Sequence, residues 1–184
     1  MLKNDTIPAE LTTIQSFEPL SLFQLQCVAD DIVSLMSRYR PEFANIIQLQ
    51  RAAGTRIKEL FQPSRWTIKS SSVVHLLPQK GNALRVLNFS DIGFADASQF
   101  EPILADMARL PIRQYERAFS KIVHDVGLWR LYENGFAHPS SHLLRHIKIK
   151  QLAADGNSLE FIATWIGEKN IASLDYYLYS KYYL

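Results

Sequence analysis

Residues 138–152 read HPSSHLLRHIKIKQL, with three histidines and an arginine in the first nine positions. Leu143, Leu144, Ile147 and Leu152 recur at helical spacing, so the stretch predicts a helix beginning near Ser140 that turns these side chains inward. On that helix His142 and Arg145 are three apart and His146 is four from His142, which puts all three on one side. Two readings fit such a face. It is either a half-exposed polar surface, or a site for an anion, since a guanidinium forks onto phosphate and an imidazole exchanges protons near neutral pH. His138, His142 and His146 also have zinc-ligand spacing but lack the acidic or cysteine partners usual in such sites, so no metal is expected.

Working outward, residues 21–38 place Leu22, Leu25, Val28, Ala29, Ile32, Val33 and Leu35 on one helical stripe. Pro41 suits the first turn of a second helix, 41–54, that runs out at Gly54, and TRIKELF (55–61) follows as a short helical piece. The period then changes. WTIK (66–69), SVVHLLP (72–78) and ALRVLNFS (83–90) are short and rich in β-branched and aromatic residues, the last two joined by QKGN, and predict a three-stranded antiparallel sheet. Beyond Gly93 helical spacing returns over 96–109, 111–128, 140–154, 158–167 and 171–182, with Ser158 as an N-cap. The expected class is α+β, mostly helical, with one small sheet, and residues 1–184 are expected to form a single domain.

The chain has 184 residues, 47% of them hydrophobic, enough for one substantial core. No apolar run reaches the roughly 18 residues a membrane span needs, and the start has no basic region followed by an apolar one. Cys27 is the single cysteine, which excludes an intramolecular disulfide or a cysteine metal cluster. A soluble cytoplasmic protein is expected. Net charge is +2, but it is unevenly spread: residues 38–85 carry nine Lys or Arg against Glu42 and Glu59, whereas 1–31 and 91–106 are acidic. Such blocks can form one basic face, the electrostatic footprint of a nucleic-acid binder, or can equally be scattered solvated side chains.

HLLRH (142–146) followed by WIGEKNIASLDYYL (165–178) resembles the C-terminal signature of the tyrosine recombinase or phage integrase family, HxLRH, then LGH, then a nucleophilic tyrosine. Upstream, AAGTRIKELF (52–61) is similar to the family's TGLRxSEL segment, and HLLPQKGNALRVLNF (75–89) to its β-hairpin with a KGxKxR turn. The three blocks occur in order over about residues 40–178. The resemblance implies the family's catalytic-domain fold and assigns Arg56, Lys80, His142, Arg145 and Tyr177 as catalytic, with Glu59 and His146 supporting. It further implies double-stranded DNA as partner, self-assembly on it as a dimer or tetramer, a nucleoid-associated location, and neither metal nor cofactor.

The implied chemistry suits these residue types. Transesterification of a phosphodiester needs a nucleophile, positive charge for the non-bridging oxygens, and a proton for the departing 5′ oxygen. Tyr177 would attack, Arg56 and Arg145 would brace the phosphate, Lys80 would protonate the leaving group, and His142 would take part in proton transfer or bind a phosphate oxygen. Taken singly, Arg56 and Glu59 also read as an i, i+3 surface pair, Lys80 as an ordinary turn lysine, and the tyrosine-rich tail as rings docked on the core. Only register favours Tyr177 over Tyr176. His75 and His124 match no motif position and read as structural.

Three departures from the pattern stand out. Glu168 replaces the His or Trp expected as a further phosphate contact, and would repel phosphate unless turned away or protonated. The roughly 40 residues ahead of the matched region are too few for the family's separate DNA-clamping domain. Seven residues follow Tyr177, few for a C-terminal exchange between protomers. These departures motivate a second expectation, a non-catalytic DNA-binding or regulatory relative.

Overall fold

The structure, a computed structural model, describes residues 21–78, 82–125 and 140–179. Helix α1 (Leu22–Tyr39) starts at Ser21, whose hydroxyl accepts the Gln24 N–H while the Gln24 side chain accepts the Ser21 N–H, a reciprocal cap. Its predicted stripe is buried through Leu25, Val28, Ala29, Ile32 and Leu35. Pro41 opens a 3₁₀ turn that leads into α2 (Ala44–Ala53), and Gly54 ends α2 in the left-handed conformation (φ 61°). A single turn, α3 (Ile57–Leu60), precedes the sheet.

The sheet is antiparallel in the order β1 (Trp66–Ile68), β2 (Val73–Leu76), β3 (Arg85–Asn88), with Thr67 opposite His75 and His75 opposite Val86. Alternation along β3 turns Arg85 and Leu87 inward and Val86 and Asn88 outward. The helices α4 (Ala97–Arg109), α5 (Ile112–Asp125), α6 (His142–Ala154), α7 (Leu159–Ile166) and α8 (Ser173–Tyr179) follow. Ser158 caps α7 through the Phe161 N–H, as expected.

Two hydrophobic clusters organise the molecule. The larger joins α1, α2, the sheet, α4, α5 and the first half of α6 around Ile32, Phe43, Leu87, Phe100, Phe119 and Leu144. The smaller joins the second half of α6 to α7 and α8 through Ile149, Leu152, Ile162, Ile166, Leu174 and Tyr177. Trp165 packs on both. Among the described residues no helix is long and apolar enough to cross a membrane.

Several arginines counted toward a basic face are not free surface charges. Arg85 is buried, Arg40 pairs with Glu42, and Arg51 pairs with Asp30. Summing charge along the chain therefore overstates the positive surface. The turn holding Lys80, the segment holding His138, and the expected helical residues 126–128 and 180–182 lie outside the described residues.

Candidate active site

The site lies at the seam between the two clusters, where the loop from α2 to α3 meets α6 and the turn after α7. Three successive carbonyls of that loop each accept a side-chain donor. Ala53 O receives Arg85 Nη2, Gly54 O receives Arg145 Nη1 at 2.8 Å, and Thr55 O receives Gln50 Nε2 at 3.3 Å. Gln50 is in turn fixed by the buried Tyr115 hydroxyl, which donates to its Oε1 at 2.5 Å. A backbone tied at consecutive residues leaves the next one, Arg56, little freedom.

Arg56 is held further by Glu59. The Glu59 carboxylate accepts the Arg56 N–H at 2.7 Å and its Nη1 at 3.3 Å, and lies 3.6 Å from Arg85 Nη1. Glu59 is 2% exposed, so the surface-pair reading of Arg56 and Glu59 does not hold. Burial opposes the Arg56 charge, but Glu59, Glu168 and Tyr177 outweigh it and hold its pKa above the ordinary value. Arg85 has only Glu59 to offset its complete burial and the nearby charges of Arg145 and Arg56, and its pKa is lowered to about 9.

Arg145 is fully buried. Besides Gly54 O it serves Ile166 O through Nη2 at 2.9 Å, so one guanidinium ties the α2–α3 loop to the end of α7. Its Nη2 also donates to Glu168 Oε1 at 3.0 Å, and Arg56 Nη2 donates to that same oxygen. Glu168 is presented by Gly167, which ends α7 at φ 75°. A Cβ on Gly167 would lie 2.9 Å from Arg85 Cγ and 3.1 Å from Ala83 O, so glycine serves both the backbone angle and the close approach of β3.

On the other side of Arg145, helix α8 delivers Tyr177. Its hydroxyl is 3.3 Å from His142 Nε2, its ring is 5.8 Å from the Arg145 guanidinium carbon, and the His146 ring lies 4.6 Å away, centre to centre. Tyr177 is 8% exposed and Tyr176 55%. Tyr177 is a ring docked in the smaller cluster, and its hydroxyl also lies beside His142. Burial, reinforced by Arg145 and Arg56, lowers the His142 pKa to about 4, and burial with His142, Lys150 and Arg145 lowers that of His146 to about 3. Both imidazoles are neutral at pH 7, so His142 Nε2 can accept the tyrosine proton.

Arg56, His142, Arg145 and Tyr177 come together with Glu59 and His146 around them. Glu168 neither points away nor stands apart, since it occupies both arginines. The sequence offered two ways for Glu168 to avoid repelling a phosphate, turning away or protonation, and did not reveal these two cations as internal partners for it. Sequence reasoning missed Arg85 and Gln50, which hold the loop bearing Arg56. The signal for Arg85 was in β3: with Val86 and Asn88 facing out, alternation places Arg85 on the buried face beside Leu87. Among the described residues no cluster of His, Cys, Asp and Glu could hold a metal ion.

No protein-family model and no curated protein sequence matches the chain. Solved structures do. The crystal structure of XerA recombinase superimposes with a TM-score of 0.56 at 16% identity over 82% of this chain and 57% of that one. A lambda integrase dimer bound to a COC′ core site gives a TM-score of 0.62 at 14% identity over 88% and 47%. The chain thus spans about half the length of the structures it matches, and its fold is that of tyrosine recombinase catalytic domains.

Proposed function

We propose that this chain breaks and rejoins DNA strands through a covalent 3′-phosphotyrosyl intermediate, acting in site-specific recombination or integration. One observation carries the reading: the guanidinium groups of Arg56 and Arg145 converge on a single oxygen position, next to a tyrosine whose hydroxyl is hydrogen-bonded to a neutral histidine. Two guanidinium donors on one oxygen are what a phosphate needs as negative charge builds on its non-bridging atoms. Tyr177 Oη attacks phosphorus and passes its proton toward His142, while the bond to the 5′ oxygen breaks and that oxygen leaves protonated by Lys80. The phosphotyrosine keeps the phosphoester bond, and attack on it by a 5′ hydroxyl restores the diester and frees the tyrosine. Duplex DNA is the substrate, and assembly of protomers on it follows the dimeric arrangement of the integrase neighbour.

The test is incubation with duplex DNA carrying a nick near the crossover site, so that the cut end diffuses away and the adduct accumulates. The wild-type chain is expected to form a covalent adduct and Tyr177→Phe to form none. An adduct that persists in Tyr177→Phe sinks the assignment of the nucleophile. A second reading is favoured by Glu168 on both arginines: a DNA-binding relative without strand transfer. Salt-dependent duplex binding with no adduct on any substrate, and little loss on Arg145→Ala, selects that reading.

A further inference from the structure

We propose that the Glu168 carboxylate is an internal competitor for the phosphate seat, holding the arginine donors that an incoming oxyanion needs, so that Glu168 sets how tightly this site binds phosphate. The inference rests on reading Arg56 and Arg145 as that seat. Three observations separate it from the alternative, that Glu168 is a tether keeping the arginines in place.

First, neither arginine needs Glu168 to be held. Arg145 is anchored by Gly54 O and Ile166 O at 2.8 and 2.9 Å, and Arg56 by the Glu59 carboxylate, which accepts its backbone N–H and its Nη1. Second, the donors facing Glu168 are the ones an oxyanion would use. Nε and Nη2 form one edge of a guanidinium and grip two oxygens side by side. On Arg145 that edge gives Nη2 to Glu168 while Nε is buried without a hydrogen-bond partner, a costly arrangement that a larger anion with several oxygens would relieve. Third, the carboxylate is the more open partner of Arg145. The Glu168 side chain is 12% exposed and that of Arg145 0%, while Arg56, at 22%, opens the shared position to solvent. Its backbone is pinned by its own N–H on Ala163 O at 2.8 Å, and rotation of the side chain alone would clear the seat.

A ligand that binds only the open arrangement has its apparent affinity reduced by the fraction of molecules that are open. If the carboxylate is in place in more than about nine molecules in ten, removing its charge raises anion affinity at least tenfold.

The probe is inorganic sulfate, a tetrahedral oxyanion whose charge is constant across the working pH range, titrated into wild type, Glu168→Gln and Glu168→Ala. Affinity and the NMR signals of the arginine Nε–H groups are followed together. The expected result is at least tenfold tighter binding in Glu168→Gln, with the Arg56 and Arg145 Nε–H signals moving, and loss of the gain when Arg56→Gln is added. Glu168→Ala supplies the same comparison if the Gln variant does not fold. Unchanged or weaker affinity in the folded variant, or a gain that leaves those signals unmoved, overturns the inference. The nicked-DNA adduct assay keeps the two readings apart. A wild-type adduct with no sulfate gain removes the competitor and leaves the strand transferase, whereas a sulfate gain with no adduct from any variant does the reverse.

Discussion

His142 and His146 show at single-residue scale what the site costs. Each imidazole is kept neutral by burial, backed by neighbouring positive charge, with pKa values of about 4 and about 3 against an ordinary 6.5. Above pH 6.5 folded and unfolded chains both carry neutral histidines, and stability does not respond to these groups. Below it the unfolded chain takes up protons that the folded chain refuses, so stability falls as pH drops from 6.5 toward 4 for His142 and toward 3 for His146. Each contributes a slope of about 1.4 kcal/mol per pH unit in its window. Urea midpoints measured from pH 7.5 to 5.0 should be level at first and then decline, and His146→Gln should flatten the decline. A midpoint that holds steady to pH 5 would mean that the imidazoles are not buried as described. The pair was legible in the sequence as HLLRH on one helix face. Its neutrality was not, because it depends on burial against the ring of Tyr177 and, for His142, on Arg56 brought in from the α2–α3 loop.

At the scale of elements, the turn after α7 links the two arginine systems. Gly167 has to be left-handed, and the entry to β3 lies against it through Ala83 N–H to Gly167 O at 2.9 Å and the stem of Arg85. Gly93 (φ 87°) and Gly156 (φ 81°) share the left-handed angle, but a Cβ on either meets nothing within 4 Å. Gly93→Ala and Gly156→Ala should therefore each lose only the backbone term, about 1–2 kcal/mol. Gly167→Ala should lose that and more, since the new Cβ presses on Arg85, which is packed on Trp165 O and Ala53 O. Chemical unfolding of the three variants gives the comparison, and equal losses would remove the close approach as the reason for glycine. The element pattern itself was readable. Helical and two-residue periods located α1, α2, the strands and α7 to within a few residues, because each element buries one face against the core. What periodicity could not supply was the direction of the side chain at Glu168, two residues beyond a helix end, where tertiary neighbours alone decide.

For the whole molecule, the seam that holds the candidate site should also be a mechanical boundary. Arg56 follows α2 of the larger cluster, Tyr177 belongs to the smaller, and among the described residues Trp165 packs on both. Much of the join is polar: Arg145 spans Gly54 O and Ile166 O, and Arg85 spans Ala53 O and Trp165 O. Hydrogen bonds from a buried guanidinium are strong only while every partner is in place, so these two arginines should govern whether α7 and α8 open apart from the rest. Native-state amide exchange tests this at residues 162–166 and 174–177 against α1. The smaller cluster is expected to exchange through an opening of lower free energy than α1. Arg85→Lys is expected to lower its protection by a further ~1–3 kcal/mol, because one ammonium cannot serve acceptors arranged for a planar fork. A loss spread evenly over α1 and α8 would show one cooperative unit and no seam. An opening of this kind would let Tyr177 move relative to the phosphate without disturbing the loop that aims Arg56, which is why the exchange comparison bears on the proposed chemistry.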